Sequence, residues 1–165
     1  MRLNQVTLRA ALAAMILAAS ATADARDDRL LLSISGALST PEAKDRLDDT
    51  IQFFWGDQSY PEPDQRYGVF DTGRKTYALN KTDLEACDQS FLLALLALRD
   101  RAKAVGANAV ANIKSVYKNR EFRSDSQYEC RAGSIVTSVA LEGRIIRVPG
   151  PGPHTQVPAK SPPNH

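Results

Sequence analysis

The chain has 165 residues, with 21 lysines and arginines against 19 aspartates and glutamates and a formal net charge of +2. That balance lacks the strong positive field of a nucleic-acid binder, so no nucleic-acid partner is expected. With Met1 to Ala25 set aside, about 140 residues remain, enough for one domain with a real core and not comfortably for two.

Met1 to Ala25 carries Arg2 and Arg9 ahead of an apolar run, Ala10 to Ala19, and closes on small residues. This is the layout of a secretory signal peptide, with cleavage expected after Ala23 or Ala25. An uncleaved anchor is the alternative, but the run falls short of the ~20 apolar residues that span a bilayer. No cysteine stands at the cleavage site to take a lipid. The mature protein is expected to be periplasmic or secreted, without an integral membrane span.

From Arg29 to Ile34 the chain is apolar and branched enough for a strand. Ser39-Thr40-Pro41-Glu42 reads as a helix start, because Pro41 stands where its missing N–H does no harm; the helix it opens is short and ends near Leu47. Thr50 to Trp55 predicts a second strand, rich in aromatics and followed by Gly56. Phe53 and Trp55 are a candidate interaction surface, although alternation along a strand requires at least one of Phe53, Phe54 and Trp55 to be core. Gln58 to Gln65, with Pro61 and Pro63, is a loop. Tyr67 to Phe70 and Lys75 to Leu79 predict two short edge strands on either side of a turn at Asp71-Thr72-Gly73.

The strongest local signal follows. Thr82 and Glu85 have the spacing of a capping box, in which each side chain satisfies the other's backbone N–H. Asp83, Glu85 and Asp88 sit toward the positive end of the helix dipole, and Arg99, Arg101 and Lys103 toward the negative end. Leu84, Cys87, Phe91, Leu95, Leu98, Ala102 and Val105 form one apolar stripe at helical spacing. Leu92, Leu93 and Leu96 widen it, so a second covered flank is expected. Gly106 stands where a helix ends in a left-handed residue, and Gly106, Ala107 and Asn108 form a structural turn into the next strand.

Ala109 to Lys118 predicts a half-buried strand with Ala111, Ile113, Ser115 and Tyr117 on one face and Asn112, Lys114 and Lys118 on the other. Asn119 to Ser126 turns the chain, and Gln127 to Cys130 begins a return strand. Gly133 to Val148 predicts a central strand covered on both sides, with Ile135, Thr137, Val139 and Leu141 on one face and Val136 and Ala140 on the other. Gly143 marks a bend or bulge in it. Pro149 to His165 begins Pro-Gly-Pro-Gly-Pro and has almost no apolar side chains, the composition of a disordered tail. The expected division is therefore a signal peptide over 1–25, a domain over 26–148 and a tail over 149–165.

Cys87 and Cys130 are the two cysteines, and in an oxidising compartment an even count reads as a disulfide. A crosslink over so long a loop is worth about 4 kcal/mol on the chain-entropy estimate. The alternative is a redox-active or metal-binding pair, for which there is no C-x-x-C spacing.

Catalytic motifs are absent from the sequence. His154 and His165, the two histidines, lie in the tail, so the domain lacks the commonest general base and metal ligand. Neither a P-loop nor a G-x-S-x-G elbow occurs. Acidic pairs such as Asp27-Asp28 and Asp48-Asp49 read as solvated surface. No cofactor and no metal site are expected, and the chain is not expected to be an enzyme.

Glu85-Ala86-Cys87, the run Ala102-Lys103-Ala104-Val105-Gly106-Ala107-Asn108-Ala109-Val110-Ala111-Asn112-Ile113, Tyr128-Glu129-Cys130-Arg131-Ala132-Gly133 and Val139-Ala140-Leu141-Glu142-Gly143 resemble a group of small secreted proteobacterial proteins often labelled "excinuclease ATPase subunit". Phe53-Phe54-Trp55-Gly56 joins the resemblance. An excinuclease ATPase needs nucleotide-binding loops, an ABC signature and zinc-binding cysteines; the chain has none of these, so the label brings no activity with it. More distantly, the A-x-x-x-G-A-N-A-V turn is similar to the C-terminal part of the Rcs envelope-stress sensor lipoprotein and to the YbjQ-like family described as heavy-metal-binding. These resemblances imply a helix leading into an antiparallel sheet. The chain departs from the sensor in lacking a lipidated cysteine and in having too few cysteines for that protein's disulfide pattern.

The fold expected is α+β, with one long helix packed on a mostly antiparallel sheet, a short N-terminal helix and one disulfide, Cys87–Cys130. The function expected is a non-enzymatic envelope-associated interaction or stress-response module with an envelope protein as partner. A small-ligand or metal-binding periplasmic protein is the alternative, and an oligomer is left open.

Overall fold

A computed structural model describes residues 26–149. The signal-peptide assignment, residues 150–165 of the expected tail and both histidines lie outside the described residues. Ten elements follow one another: β1 (Asp28–Ser33), α1 (Ile34–Leu38), α2 (Pro41–Arg46), β2 (Gln52–Trp55), β3 (Gln65–Tyr77), α3 (Asp83–Ala104), β4 (Ala109–Tyr117), β5 (Arg120–Phe122), β6 (Gln127–Ala132) and β7 (Val136–Arg147). The class is mixed α and β, with the strands joined in a seven-stranded sheet.

β7 lies at the centre of the sheet. Along one edge it pairs with β3 over its whole length, from Tyr77↔Val136 to Gln65↔Arg147. Its other edge is shared. β6 takes the start, through Ala132↔Thr137 and Arg131↔Ser138, and β4 takes the end, from Ser115↔Leu141 to Ala109↔Ile146. At the changeover the Ser115 hydroxyl accepts from the Glu129 backbone N–H at 2.9 Å. β1 extends β6 and β5 pairs with β4, both antiparallel, while β2 runs parallel to β4.

The capping box opens α3 as its sequence predicts. The Glu85 N–H donates to Thr82 Oγ1 at 3.2 Å, and the Thr82 N–H donates to Glu85 Oε2 at 2.8 Å. At the other end Gly106 has φ +72°. Its N–H reaches the Lys103 carbonyl at 3.0 Å while the Ala107 N–H reaches that of Ala102 at 2.9 Å, so the last carbonyls of the helix are satisfied. Between these ends Cys87, Phe91, Leu95 and Leu98 are buried against Val110, Ile113, Val139, Leu141 and Ile145 of the sheet, each large side chain contributing about 1.5–3 kcal/mol. Leu92 and Leu96 pack on Ala43 and Leu47, the second covered flank.

The Cys87–Cys130 disulfide is formed, with Cα atoms 5.9 Å apart. Both cysteines are fully buried, and the bond ties the second turn of α3 to the middle of β6. On the far face of the sheet Ala109, Ala111, Ile146 and Val148 form a smaller core under Phe54 and Tyr60.

Several local expectations are corrected. Asp71-Thr72-Gly73 is no turn; β3 runs straight through it, because Asp71, Thr72 and Gly73 each have a partner on β7. In β4 the predicted alternation breaks at Asn112, whose φ of +52° accompanies a bulge between Ala111 and Lys114. Ala111 therefore joins the far-face core and Ile113 the helix-side core, not one shared face. The irregularity expected at Gly143 is in β4 instead. Gly143 is small because a Cβ there would lie 2.5 Å from Val110 Cγ1. Ile135 precedes β7 and is exposed, and the far face of β7 at Val136, Ser138 and Ala140 is only half-buried.

Candidate functional site

The residues with functional potential gather where α3 begins. Ala78 donates its N–H to the Ile135 carbonyl at 2.8 Å, which holds the loop after β3 against the turn before β7. Arg26 donates to both carboxylate oxygens of Asp83 and to Asp28 Oδ2, and these two acids hold its guanidinium above its ordinary range. The Arg26 carbonyl lies against Gly133, where an added Cβ would come within 3.1 Å. Three chain segments distant in sequence are thereby fixed at one end of the domain.

On that end stand large apolar side chains that nothing among the described residues covers. Leu79 is 63% exposed, Ile135 60% and Leu84 54%. Leu84 is in the first turn of α3, beside the Asp83 that Arg26 holds. A hydrophobic face anchored by a capping box, an ion pair and a backbone hydrogen bond is preorganised.

Beside it a cleft of about 440 Å³ opens between α2 and the first turns of α3, lined by Glu42, Asn80, Lys81, Glu85, Asp88 and Leu92 among others. Its floor is polar for a structural reason. The Tyr128 hydroxyl donates to Asp88 Oδ1 at 2.7 Å, and the Tyr128 ring stacks on Phe91, which stacks on Trp55, with centroids 4.2 and 5.5 Å apart. Burial pushes the Asp88 carboxyl up, against the hydrogen bond from Tyr128, which favours its charged form. Burial and the neighbouring carboxylate together keep the Tyr128 hydroxyl protonated. Glu85 is held below its ordinary range by the Thr82 backbone N–H and then by the Thr82 hydroxyl. Three carboxylates against Lys81 give the cleft a negative charge, and Lys81 donates to Gln89 at 2.6 Å. Among the described residues no group of three or more His, Cys, Asp or Glu side chains is arranged to hold a metal ion.

The residues singled out from sequence fall in different places. Trp55 is 6% exposed and belongs to the core stack, so it presents no face to a partner. Phe53 is half-buried and lines a separate shallow groove with Leu38, Leu47 and Ile51. Cys87 is adjacent to Asp88 but sealed in the core. Gly106, Ala107 and Asn108 are at the opposite end of α3 from the apolar surface. There the Asn108 side chain donates Nδ2 to the Val148 carbonyl and accepts the Val148 N–H at Oδ1, both at 2.9 Å.

The sequence reading missed Leu79, Leu84, Ile135, Asp88 and Tyr128 as surface or cleft residues. A local signal exists for Leu84 alone: in the first turn of a capped helix it precedes the point where the stripe is buried.

Comparison of the chain with protein-family models, with curated proteins and with solved structures finds no match. Among the described residues no helix is long and apolar enough to cross a membrane.

Proposed function

We propose that the chain is a non-enzymatic interaction or stress-response module of the cell envelope, exported to the periplasm or beyond, which binds a partner protein through the apolar end of α3. The observation that carries this reading is the joint exposure of Leu79, Leu84 and Ile135 on a rigid frame. Exposed apolar side chains gathered on one surface and rimmed by polar groups mark interaction sites; here Arg26, Lys81 and Asp83 form the rim. A buried disulfide supports an oxidising compartment. The resemblance to small secreted proteins and to an envelope-stress sensor agrees with that placement.

Photo-crosslinking in the native compartment tests it. A crosslinker placed at Leu79 or Leu84 should give one discrete adduct that a crosslinker at Lys44 does not give, and Ile135→Ser should abolish it. Equal yields from all three positions, or none, would sink the proposal.

The second reading, a small-ligand binder, rests on the cleft at Asp88. Its volume lies within the range of small-molecule sites, and its negative charge selects a cationic guest. Native mass spectrometry decides this reading: a stoichiometric bound mass lost in Asp88→Asn supports it, and a bare protein removes it.

A further inference from the structure

We propose that β3 is a dimer edge, across which a second copy of this chain pairs antiparallel about a two-fold axis at Gly73. β3 pairs only with β7 among the described residues, so one full edge of this 13-residue strand is open. Ala78 bonds inward to Ile135, so Thr76, Arg74, Thr72 and Phe70, of the same parity, also bond toward β7. The alternate residues Val69, Asp71, Gly73, Lys75 and Tyr77 turn their N–H and C=O groups to the open edge. Their side chains all lie on the sheet face away from α3.

Those five residues are self-complementary about Gly73. An antiparallel pairing centred there sets Asp71 opposite Lys75 and Val69 opposite Tyr77, each twice, with Gly73 facing itself. Opposite charges and apolar side chains directly opposed are the favourable cross-strand pairs, and a two-fold operator doubles every contact. Within one copy these groups lack such partners. Neither Asp71 nor Lys75 has an ion-pair partner among the described residues. Asp71 instead faces Glu142 across the β3–β7 pair, a like charge, and Val69 is 57% exposed.

Two features of the strand select this centre. The β3–β7 register shifts between Arg66 and Gly68 and is unbroken from there to Tyr77, so Val69–Tyr77, the regular span with outward groups at both ends, has Gly73 as its midpoint. The fold itself does not need a glycine at that position, since an added Cβ would meet nothing closer than Ala140 Cβ at 4.0 Å. Glycine within a strand is found at bulges and where a ligand or another backbone approaches closely, and the register is unbroken at Gly73, so no bulge accounts for it. Above the edge, Leu93 and Ala97 lie on the same stripe of α3 as Arg101, which covers Phe70 of β3, and both are half-buried and ready to meet their symmetry mates.

This inference stands apart from the apolar end and does not depend on it. Charge reversal tests it, read by analytical ultracentrifugation on the exported, disulfide-bonded chain at micromolar concentrations. The wild type should be dimeric. Asp71→Lys and Lys75→Asp, both at exposed positions, should keep the fold by circular dichroism and each weaken association at least about tenfold, because each acts at two symmetric pairs. Mixed together, the two variants should form a heterodimer as tight as the wild type, since every opposed pair is then again of opposite sign. A monomeric wild type overturns the proposal, as does a dimer indifferent to either reversal or a mixture that fails to associate.

Discussion

The Tyr128 hydroxyl donates to the Asp88 carboxylate at 2.7 Å, linking the floor of the cleft to the aromatic stack beneath it. Tyr128 lies two residues from Cys130 and Asp88 one residue from Cys87, so this bond and the disulfide join the same two elements. The covalent bond is in the core and the polar one at its margin.

Tyr128→Phe keeps the ring and removes the donor, so it should cost about 1.5–3 kcal/mol at neutral pH, the worth of a hydrogen bond to a charged acceptor. Asp88 should then titrate higher still, because the bond that favours its anion is gone. A carboxyl raised on folding opposes the folded state, with a cost that develops as pH climbs from the unfolded value of 3.8 toward the folded one. The difference between variant and wild type should therefore shrink at low pH, where both carry a neutral Asp88. Urea denaturation at acid and neutral pH, with an NMR titration of Asp88, checks both statements.

Glu85 titrates in the opposite sense. Its folded-state value is lowered by the Thr82 backbone N–H first and the Thr82 hydroxyl second, so its contribution is full above the unfolded value and is lost as pH falls through the folded one. Thr82→Ala should cost about 0.5–2 kcal/mol near pH 7, as removal of an N-cap does. Part of the Glu85 pH dependence should disappear with it. Amide exchange at Glu85 and Ala86, whose N–H groups bond to Thr82, measured near pH 7 and in acid would show the first turn of α3 opening in the variant at both, and in the wild type in acid.

These two residues also show what could be read from the sequence. The capping box, the i, i+4 stripe and Gly106 are local, all within one helix and its caps, and α3 was legible for that reason. The disulfide was legible because two cysteines permit one pairing. β3 was misread because Asp71-Thr72-Gly73 carries a turn's local preferences while the β7 ladder, some 70 residues away, decides the conformation. The bulge at Asn112 was equally hidden, since its left-handed backbone is fixed by the Tyr60 hydroxyl on Oδ1 and by its own Nδ2 bond to the Gly56 carbonyl. Of the apolar end, Leu84 alone carries a local signal. Leu79 and Ile135 come to one end of the domain through the Ala78–Ile135 bond that closes the β3–β7 ladder, and the Asp88–Tyr128 contact requires β6 to lie under α3.

Replacing Cys87 and Cys130 together by alanine should lower unfolding stability by about 4 kcal/mol on the loop-closure estimate for a sequence separation of 43. Because both sulfurs are fully buried, the native bond should resist mild reductant until the domain opens. Thiol labelling after brief reduction, with and without denaturant, reads this directly: labelling of native protein at the unfolded rate would contradict it.

Glycine substitutions separate backbone need from packing need. Gly106→Ala should cost about 1–2 kcal/mol, because φ +72° places an alanine in the left-handed region. Gly143→Ala should cost about 1–3 kcal/mol for a different reason, the 2.5 Å approach of its Cβ to Val110 Cγ1. Adding Val110→Ala should recover part of the second loss and none of the first, a double-mutant cycle measured by denaturant unfolding.

Asn108 gives the sharpest test of the turn after α3. Its side-chain amide acts as a strand would, donating to the Val148 carbonyl and accepting the Val148 N–H, each at 2.9 Å, and its own carbonyl accepts from the Gln52 N–H at 2.9 Å. It thereby ties the end of β7 to the starts of β4 and β2, where Val148 is buried beneath Phe54 and Tyr60. Asn108→Ala leaves both Val148 backbone groups without these partners and should cost about 1–3 kcal/mol. Asn108→Asp keeps the acceptor and loses the donor, setting a carboxylate oxygen against the Val148 carbonyl. At neutral pH it should be no better than alanine, and it should recover stability in acid, where the protonated carboxyl can donate again. If aspartate and alanine had the same acid dependence, the two-bond arrangement at Val148 would not be what holds this corner.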